Sequence, residues 1–351
     1  MLSRDLKDEF PTVLAAGHTD EREGELSDPE VPIHRVPLTR PISPIDDMRA
    51  LLAVQRLLKT QKIELLHTHM AKAGFVGRLA ARCLVQRPRT VHTFHGHVLD
   101  GYFSKPLQTT FIALERSLAR MTDALVAVSS EVRDQLMDLG IGRPHQYHVL
   151  PVGLDLEPYL SVCEPTGRLR AELRLQDETP VIGVIGRLVP IKDHSTLFEA
   201  MFHIPCAHLA VLGDGELRGT LEAEVARMGL SGRVHFMGWR EDLPGDVVDL
   251  DVVALTSRNE GTPTALIEAL AAAKPVVSTD VGGVRSVVQH EVSGLLAPPG
   301  DAKLVADHIL RLLGDRSQAR KMAQEGRLHV ARHFGAQRLV EEIRELYRSL
   351  L

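Results

Sequence analysis

Short apolar runs rich in β-branched residues alternate along this chain with longer stretches of helical period, and that alternation allows few folds. The runs TVLAA (12–16), IELLHT (63–68), RTVHTF (89–94), ALVAVS (124–129) and HVLPV (148–152) read as strands of a first series. A second series reads VIGVIG (181–186), HLAVLG (208–213), VHFMG (234–238), VVALTS (252–257), PVVST (275–279) and GLLAPP (294–299). Amphipathic segments at 46–60, 71–86, 106–121, 194–203, 215–229, 263–273, 301–314, 316–334 and 336–350 separate or follow them. Strand, helix, strand in succession gives an α/β fold with parallel sheets.

At 351 residues the chain exceeds one ordinary core and predicts two domains. The stretch PVGLDLEPYLSVCEPTG (151–167), rich in Pro and Gly, reads as the linker. The expected domains are 1–155 and 156–335, each Rossmann-like and doubly wound, with a ligand cleft between them and the last helix, 336–351, completing the first. Doubly wound domains open on a strand, yet MLSRDLKDEF reads as the tail of a helix leading into 12–16. The first strand and its loop are expected to be missing, or the segment is a short N-terminal arm.

Composition narrows the function. A net charge of −5 argues against a nucleic-acid binder, and Cys83, Cys163 and Cys206 have neither pairing nor metal spacing, as in a reducing cytosol. No apolar run reaches the roughly 20 residues of a membrane span and no signal peptide opens the chain, so a cytoplasmic protein is expected. The basic segment AKAGFVGRLAARCLVQRPR (71–89) reads either as a helix resting on anionic lipid or as a core helix with a solvated face.

SRNEGTPTALIEALAAAKPVVSTDVGG (257–283) sets Glu260 and Glu268 eight positions apart after a buried strand. Ligands of open α/β sheets bind outside the carboxyl ends of strands. Thr262 is the expected N-cap and Pro263 the first helical residue. Glu268 can then accept from the two hydroxyls of a ribose and Glu260 from a second sugar. The free N–H groups at the helix start suit a diphosphate. In VIGVIGRLVPIKDHS (181–195), Arg187 follows Gly186 and precedes Lys192 by five residues, with Asp193 the expected N-cap. A guanidinium fork and an ammonium around one turn can neutralise a leaving diphosphate without a metal.

His67, His69, His92, His95 and His97 gather at two strand ends. An H-x-H pattern can bind zinc, but no cysteine accompanies it, and mixed substrate and structural roles are preferred. Asp249-Leu250-Asp251 has the D-x-D spacing of metal-dependent transferases but precedes its strand rather than following it. GVIGRL lacks the G-x-G-x-x-G of a dehydrogenase.

Together HTHMAKAGFVGRLAARC, HTFHGH, AVSSEVRDQL, VLPVGLD, GVIGRLVPIKD, VLGDGEL, NEGTPTALIEALAAAKPVVSTDVGG and GLLAPPGD resemble the family 4 retaining glycosyltransferases of the GT-B fold. The resemblance implies that Arg187 and Lys192 bind the diphosphate of a sugar nucleotide, uridine-linked by preference. It lays Glu268 on the ribose, Glu260 on the sugar, and the N–H groups of Gly261, Thr262 and Thr264 near sugar or phosphate. His95 falls near the reacting face, and Gly238, Trp239 and Arg240 where the base sits. It implies no metal, a lipid-linked or polysaccharide acceptor, and contact with the inner face of a membrane. The chain departs from the family at Val152 before Gly153, at Arg285 and Ser286 where an acid is common, and in its opening segment. A GT-B epimerase and a non-catalytic nucleotide-sugar binder are the alternatives at this point.

Overall fold

The computed structural model describes residues 2–17, 31–39, 43–96, 105–162 and 164–351. It divides into two compact units, 1–153 with 336–351, and 154–335.

In the first unit, β1 (Leu14–Ala16) pairs in parallel with β2 (Ile33–Arg35) as a two-stranded sheet. The sequence reading missed β2, a three-residue run set between Pro32 and Pro37 that is too short to show alternation. A separate parallel sheet runs in the order β3 (Leu65–His69), β4 (Arg89–Phe94), β5 (Ala124–Ala127) and β6 (Tyr147–Val149). Alternating residues feed two layers, as the pleat requires. Val91, Ala124 and Val126 bury against Leu6 and against Val340, Ile343 and Leu346 of helix Ala336–Leu350. Leu125 and Ala127 face Val132, Leu136 and Ile141. The last helix therefore belongs to the first unit's core.

Of the two readings offered for the basic segment 71–89, helix Ala71–Arg82 has the buried face that the core-helix reading expects. Val76, Arg78, Ala80 and Ala81 are buried, so it is a core helix. Lys72 pairs with Asp47 at 2.6 Å, and the Arg78 side chain, 1% exposed, pairs with Glu115 at 2.8 Å. Lys72 and Arg78 are thus committed to protein partners, while Arg82 and Arg87 are exposed.

The second unit has one six-stranded parallel sheet. Its strands are β7 (Val181–Ile185), β8 (His208–Leu212), β9 (Val234–Gly238), β10 (Val252–Leu255), β11 (Val276–Thr279) and β12 (Leu295–Ala297). Their order in space is β9-β8-β7-β10-β11-β12. The chain winds outward from β7 in one direction, then returns to β10 on its other side and winds the opposite way. The two neighbouring strands β7 and β10 thus send their exit loops apart, which opens a crevice at their carboxyl ends. Residues of β7, β8, β10, β11 and β12 are almost fully buried and pack against helices His194–Phe202 and Ala302–Gly314.

The expected linker holds more structure than its Pro and Gly content suggested. Within 151–167, helix Glu157–Ser161 buries Tyr159, and directly after that stretch helix Arg168–Leu173 buries Leu169. Asp249 accepts from the N–H groups of Thr166, Gly167 and Leu169, fastening the start of that second helix. Asp251 accepts from Arg170 and from Val181 N–H. The D-x-D acids are thereby occupied at the amino end of β10.

The buried Arg78–Glu115 pair yields a stability prediction. Glu115→Ala strands a cation in the core and is expected to cost about 3–5 kcal/mol, read as a lower urea midpoint. Arg78→Met combined with Glu115→Leu is expected to recover most of that loss. A Glu115→Ala midpoint equal to wild type would contradict the pairing.

Candidate functional site

The switch point between β7 and β10 brings together the residues that the sequence singled out in the second unit. β7 ends at Ile185, and Gly186 and Arg187 follow it into the turn. Arg187 is exposed, and among the described residues no ion-pair partner meets it. The turn Pro190–Lys192 carries Lys192 back toward the exit of β10, where its Nζ lies 2.6 Å from Glu260 Oε1. Ser257 Oγ donates to the same oxygen at 2.5 Å. The cation expected at phosphate and the acid expected at sugar therefore touch.

Backbone contacts fix the loop that carries Glu260. On one side Arg258 N–H donates to Ile191 O at 2.8 Å and the Thr256 hydroxyl to Asp193 O at 2.9 Å. On the other, Gly283 N–H donates to Glu260 O at 3.0 Å and the Thr279 hydroxyl to Ser257 O at 2.6 Å. Gly282 has φ +49°, and a Cβ there would stand 2.0 Å from Glu260 O. The double glycine is thus the close approach that holds the Glu260 loop from behind. A second close approach steadies the Arg187 loop: a Cβ on Gly213 would stand 2.0 Å from Gly186 O.

Two capping expectations need correction. The helix after Glu260 runs Thr264–Ala271, and Pro263, with ψ 90°, takes the N-cap position in place of Thr262. Proline's extended ψ delays the helix by one residue. Thr262 Oγ1 is then buried without a hydrogen-bond partner, a group that a ligand can satisfy. Asp193 does occupy an N-cap position, but in the left-handed region (φ 47°) and with no cap hydrogen bond. Its carboxylate instead binds Arg258 at 3.0 Å and the Thr196 hydroxyl at 2.9 Å, joining the exits of β7 and β10. Gly261, Thr262 and Thr264 lie at the start of the short helix, where N–H groups precede the first intrahelical acceptors.

Glu268 sits one turn into that helix. Burial raises its pKa to about 7, against the opposing effect of a hydrogen bond from the Tyr159 hydroxyl. Tyr159 was missed by the sequence reading because 151–167 read as a linker. The signal was there in Leu156, Tyr159 and Leu160, which recur at i, i+3 and i+4.

The residues expected at the base lie further along the same edge. Gly213 N–H donates to Gly238 O at 2.8 Å, tying the β9 exit to that of β8. Trp239 is 81% exposed, a large apolar surface beside the loop. Arg240 is committed elsewhere: its guanidinium bonds Asp246 at 2.6 Å and Glu172 at 2.8 Å, and these pairs raise its pKa. Its side chain is a strut between Asp246 and Glu172. Arg285, which departs from the family acid, bonds Asp280 through two nitrogens, and Ser286 Oγ donates to Gly283 O.

The first unit carries the histidines. β3 and β4 run in register, with His69 opposite Thr93, which brings His69 beside the exit residue His95. His69 Nδ1 lies 3.0 Å from His95 Nε2. Burial, then the neighbouring His95, pushes the His69 pKa down to about 4, so the pair shares one N–H between neutral rings. His67 stacks on His69 with centroids 4.3 Å apart and contacts the hydroxyls of Tyr347 and Thr93 at 2.6 and 2.7 Å. With both ring nitrogens engaged, His67 is a poor metal ligand. His92 is buried on the other face against Thr68. His97 and Cys163 lie outside the described residues. Among the described residues, no group of three His, Cys, Asp or Glu side chains is arranged to hold a metal, and no helix is long and apolar enough to cross a membrane.

Comparison with known proteins gives this geometry its family. Residues 4–153 match the glycosyl transferase 4-like domain and residues 166–329 the glycosyl transferases group 1. The chain is 30% identical over 317 residues to the UDP-Gal:alpha-D-GlcNAc-diphosphoundecaprenol alpha-1,3-galactosyltransferase of Escherichia coli, spanning 88% of this chain and 81% of that one. Its fold is similar to that of sucrose-phosphate synthase from Thermosynechococcus elongatus, with TM-score 0.87, 24% identity and coverage of 99% and 91%. It is also similar to HepE of Anabaena, solved in complex with UDP, with TM-score 0.79, 24% identity and coverage of 91% and 87%. The chain belongs to the family 4 glycosyltransferases, and its fold is GT-B.

Two predictions follow from the site. Hydroxyls donating to Glu268 favour its ionised form, while a folded pKa of about 7 keeps it largely protonated below that pH. Nucleotide affinity is therefore expected to plateau above pH 7 and to weaken about tenfold by pH 6. Glu268→Gln should lose that pH-dependent component in calorimetric titrations; an unchanged pH profile would contradict the placement. Gly282→Ala drives a methyl into Glu260 O and is expected to cut turnover at least tenfold, while Gly314→Ala, with nothing near its added Cβ, is expected to be neutral.

Proposed function

We propose that this glycosyltransferase moves a hexose or N-acetylhexosamine from UDP to a lipid-linked or polysaccharide acceptor, with retention of configuration. The observation that carries the reading is the convergence of Arg187, Lys192, Glu260 and the start of helix Thr264–Ala271 at one switch point. In this reading Arg187 and Lys192 clamp the diphosphate, and the N–H groups of Gly261, Thr262 and Thr264 contact phosphate or sugar. Glu260 accepts from the transferred sugar, Glu268 from the ribose, and Trp239 beside Gly238 and Arg240 flanks the base. His95, steadied by His69, serves the reacting face of the sugar. The UDP seen with HepE and the diphosphoundecaprenol in the name of the Escherichia coli relative support uridine and a lipid-linked acceptor.

The chemistry needs a stabilised leaving group. The acceptor hydroxyl bonds to the anomeric carbon as the bond to UDP oxygen breaks on the same face, and the departing phosphate oxygen takes the hydroxyl proton. Two cations and a helix start lower the energy of the charge that develops on that phosphate. The Lys192–Glu260 contact has its own part: the cation orients the acid until phosphate competes for it. Two protein cations take the place of a divalent ion, and the reaction is assigned to the cytoplasmic side of a membrane.

Transfer from a panel of UDP-hexoses and UDP-N-acetylhexosamines to a polyprenyl-diphosphate sugar, in EDTA, tests this. Wild type is expected to form product with the donor's anomeric configuration. Arg187→Ala and Lys192→Ala are expected to lose at least 100-fold in kcat/KM, as removed transition-state donors do. Inverted product, or variants as active as wild type, would contradict the assignment.

A further inference from the structure

Arg285, one of the chain's departures from its family, builds a wall of a cavity of about 660 Å³ in the second unit. The cavity lies at the carboxyl ends of β11 and β12, next along the sheet from the β10 exit that leads to Glu260. Val288, Leu296 and Ala297, almost fully buried, form its floor, and Pro298 and Pro299 one side. Asp280, Arg285, Gln289 and His290 supply its polar groups. Their positions are set by hydrogen bonds. Arg285 donates to both carboxylate oxygens of Asp280, through Nε at 2.7 Å. Asp280 N–H donates to Ala297 O at 2.8 Å, and Gln289 N–H to Ser293 Oγ at 2.8 Å. His290 Nδ1 accepts from Leu296 N–H at 2.9 Å, so the ring carries its proton on Nε2. That nitrogen stands 3.9 Å from Glu291 Oε1, beyond hydrogen-bond range, and Glu291 is itself held by Arg311 at 2.6 Å.

We propose that this cavity is a saccharide subsite that holds uncharged sugar units of the acceptor glycan. Charge selects the class of ligand. Among the described residues lining the cavity, Asp280 is the one carboxylate and Arg285 the one permanent cation, and they neutralise each other. A phosphate or a metal ion therefore finds no uncompensated partner. What remains is hydrogen bonding over an apolar floor: the carboxylate accepts, the Gln289 amide donates and accepts, and His290 Nε2–H donates. A pyranose has the matching pattern, with hydroxyls around its rim and C–H groups on its faces. The cavity's size is that of a small-ligand site, roughly 300–1,000 Å³. Its place suits an acceptor, since β12 lies two strand spacings from β10, about 10 Å along the sheet. Gly283 N–H, two residues before Arg285, also ties this loop to Glu260 O at 3.0 Å. The inference deepens the reading of a glycan acceptor. It rests on that reading for what the bound saccharide is, not for the binding itself.

Methyl NMR titration of the full chain tests the subsite without donor or transfer. The probes are maltotriose, cellotriose, chitotriose and β-1,4-galactotriose, with inorganic tripolyphosphate as the anionic control. At least one trisaccharide is expected to shift the Val288 and Leu296 methyls saturably, and tripolyphosphate is expected to leave them unmoved. Arg285→Ala is expected to weaken that trisaccharide about tenfold, the loss of a charged hydrogen-bonding group. Gln289→Trp places an indole in the cavity from an exposed position and is expected to abolish binding while the melting temperature holds. No trisaccharide shifting those methyls, tripolyphosphate saturating them, or Gln289→Trp binding as wild type does would each overturn the inference. UDP is titrated separately, so wild type that binds saccharide but no UDP would count against the donor site and leave the subsite standing.

Discussion

The reversal of strand order between β7 and β10 is the constraint on which the second unit's chemistry depends. Where neighbouring strands of a parallel sheet lead their chains away in opposite directions, no helix covers the gap above their carboxyl ends. Gly186 and Arg187 emerge on one side of that gap and Ser257 to Glu260 on the other. The loops are not left to drift: Asp193 bonds Arg258, Ile191 O accepts from Arg258 N–H, and Gly282 lies on Glu260 O. The charged groups thus stand on a scaffold whose positions are set by backbone hydrogen bonds and close approaches rather than by long side chains.

The Lys192–Glu260 contact gives this scaffold its electrostatic character. A lone carboxylate pressed against the sheet edge would lose solvation, and a lone ammonium likewise; side by side, with Ser257 donating to the same oxygen, each is compensated. In the proposed reaction the arriving diphosphate offers Lys192 a stronger negative partner, which turns Glu260 toward hydroxyl donors. Glu268 answers a different condition. Its burial favours the protonated form, and in the proposed reading the two ribose hydroxyls donate to the ionised form. The histidines of the first unit follow the same logic, since crowding and burial keep His69 neutral beside His95.

Much of this was legible in the sequence, and the reasons are physical. Buried parallel strands such as Val181–Ile185 and Val252–Leu255 are continuous apolar runs, so their ends were readable, and with them the loops holding Arg187, Lys192 and Glu260. Family motifs in both halves matched the glycosyltransferase membership found by comparison. Long-range pairings were not readable. Nothing local marks Arg240 as a strut between Glu172 and Asp246, Arg78 as the partner of Glu115, or Tyr159 as the donor to Glu268. The basic segment 71–89 carried the charge of a surface helix, yet Arg78 is buried by a pairing made 37 residues away. Pro263 displaced the expected cap through its own ψ, a backbone detail that residue preferences do not carry.

Calorimetric titration of the full chain with UDP in EDTA at pH 7.5 tests the donor site most directly. Arg187, Lys192, Glu268 and the helix start acting together predict binding at micromolar UDP without a divalent ion, weakened by Glu268→Ala and by Lys192→Ala. Folded protein that binds no UDP in EDTA, or variants that bind it as wild type does, would contradict a donor site at this switch point.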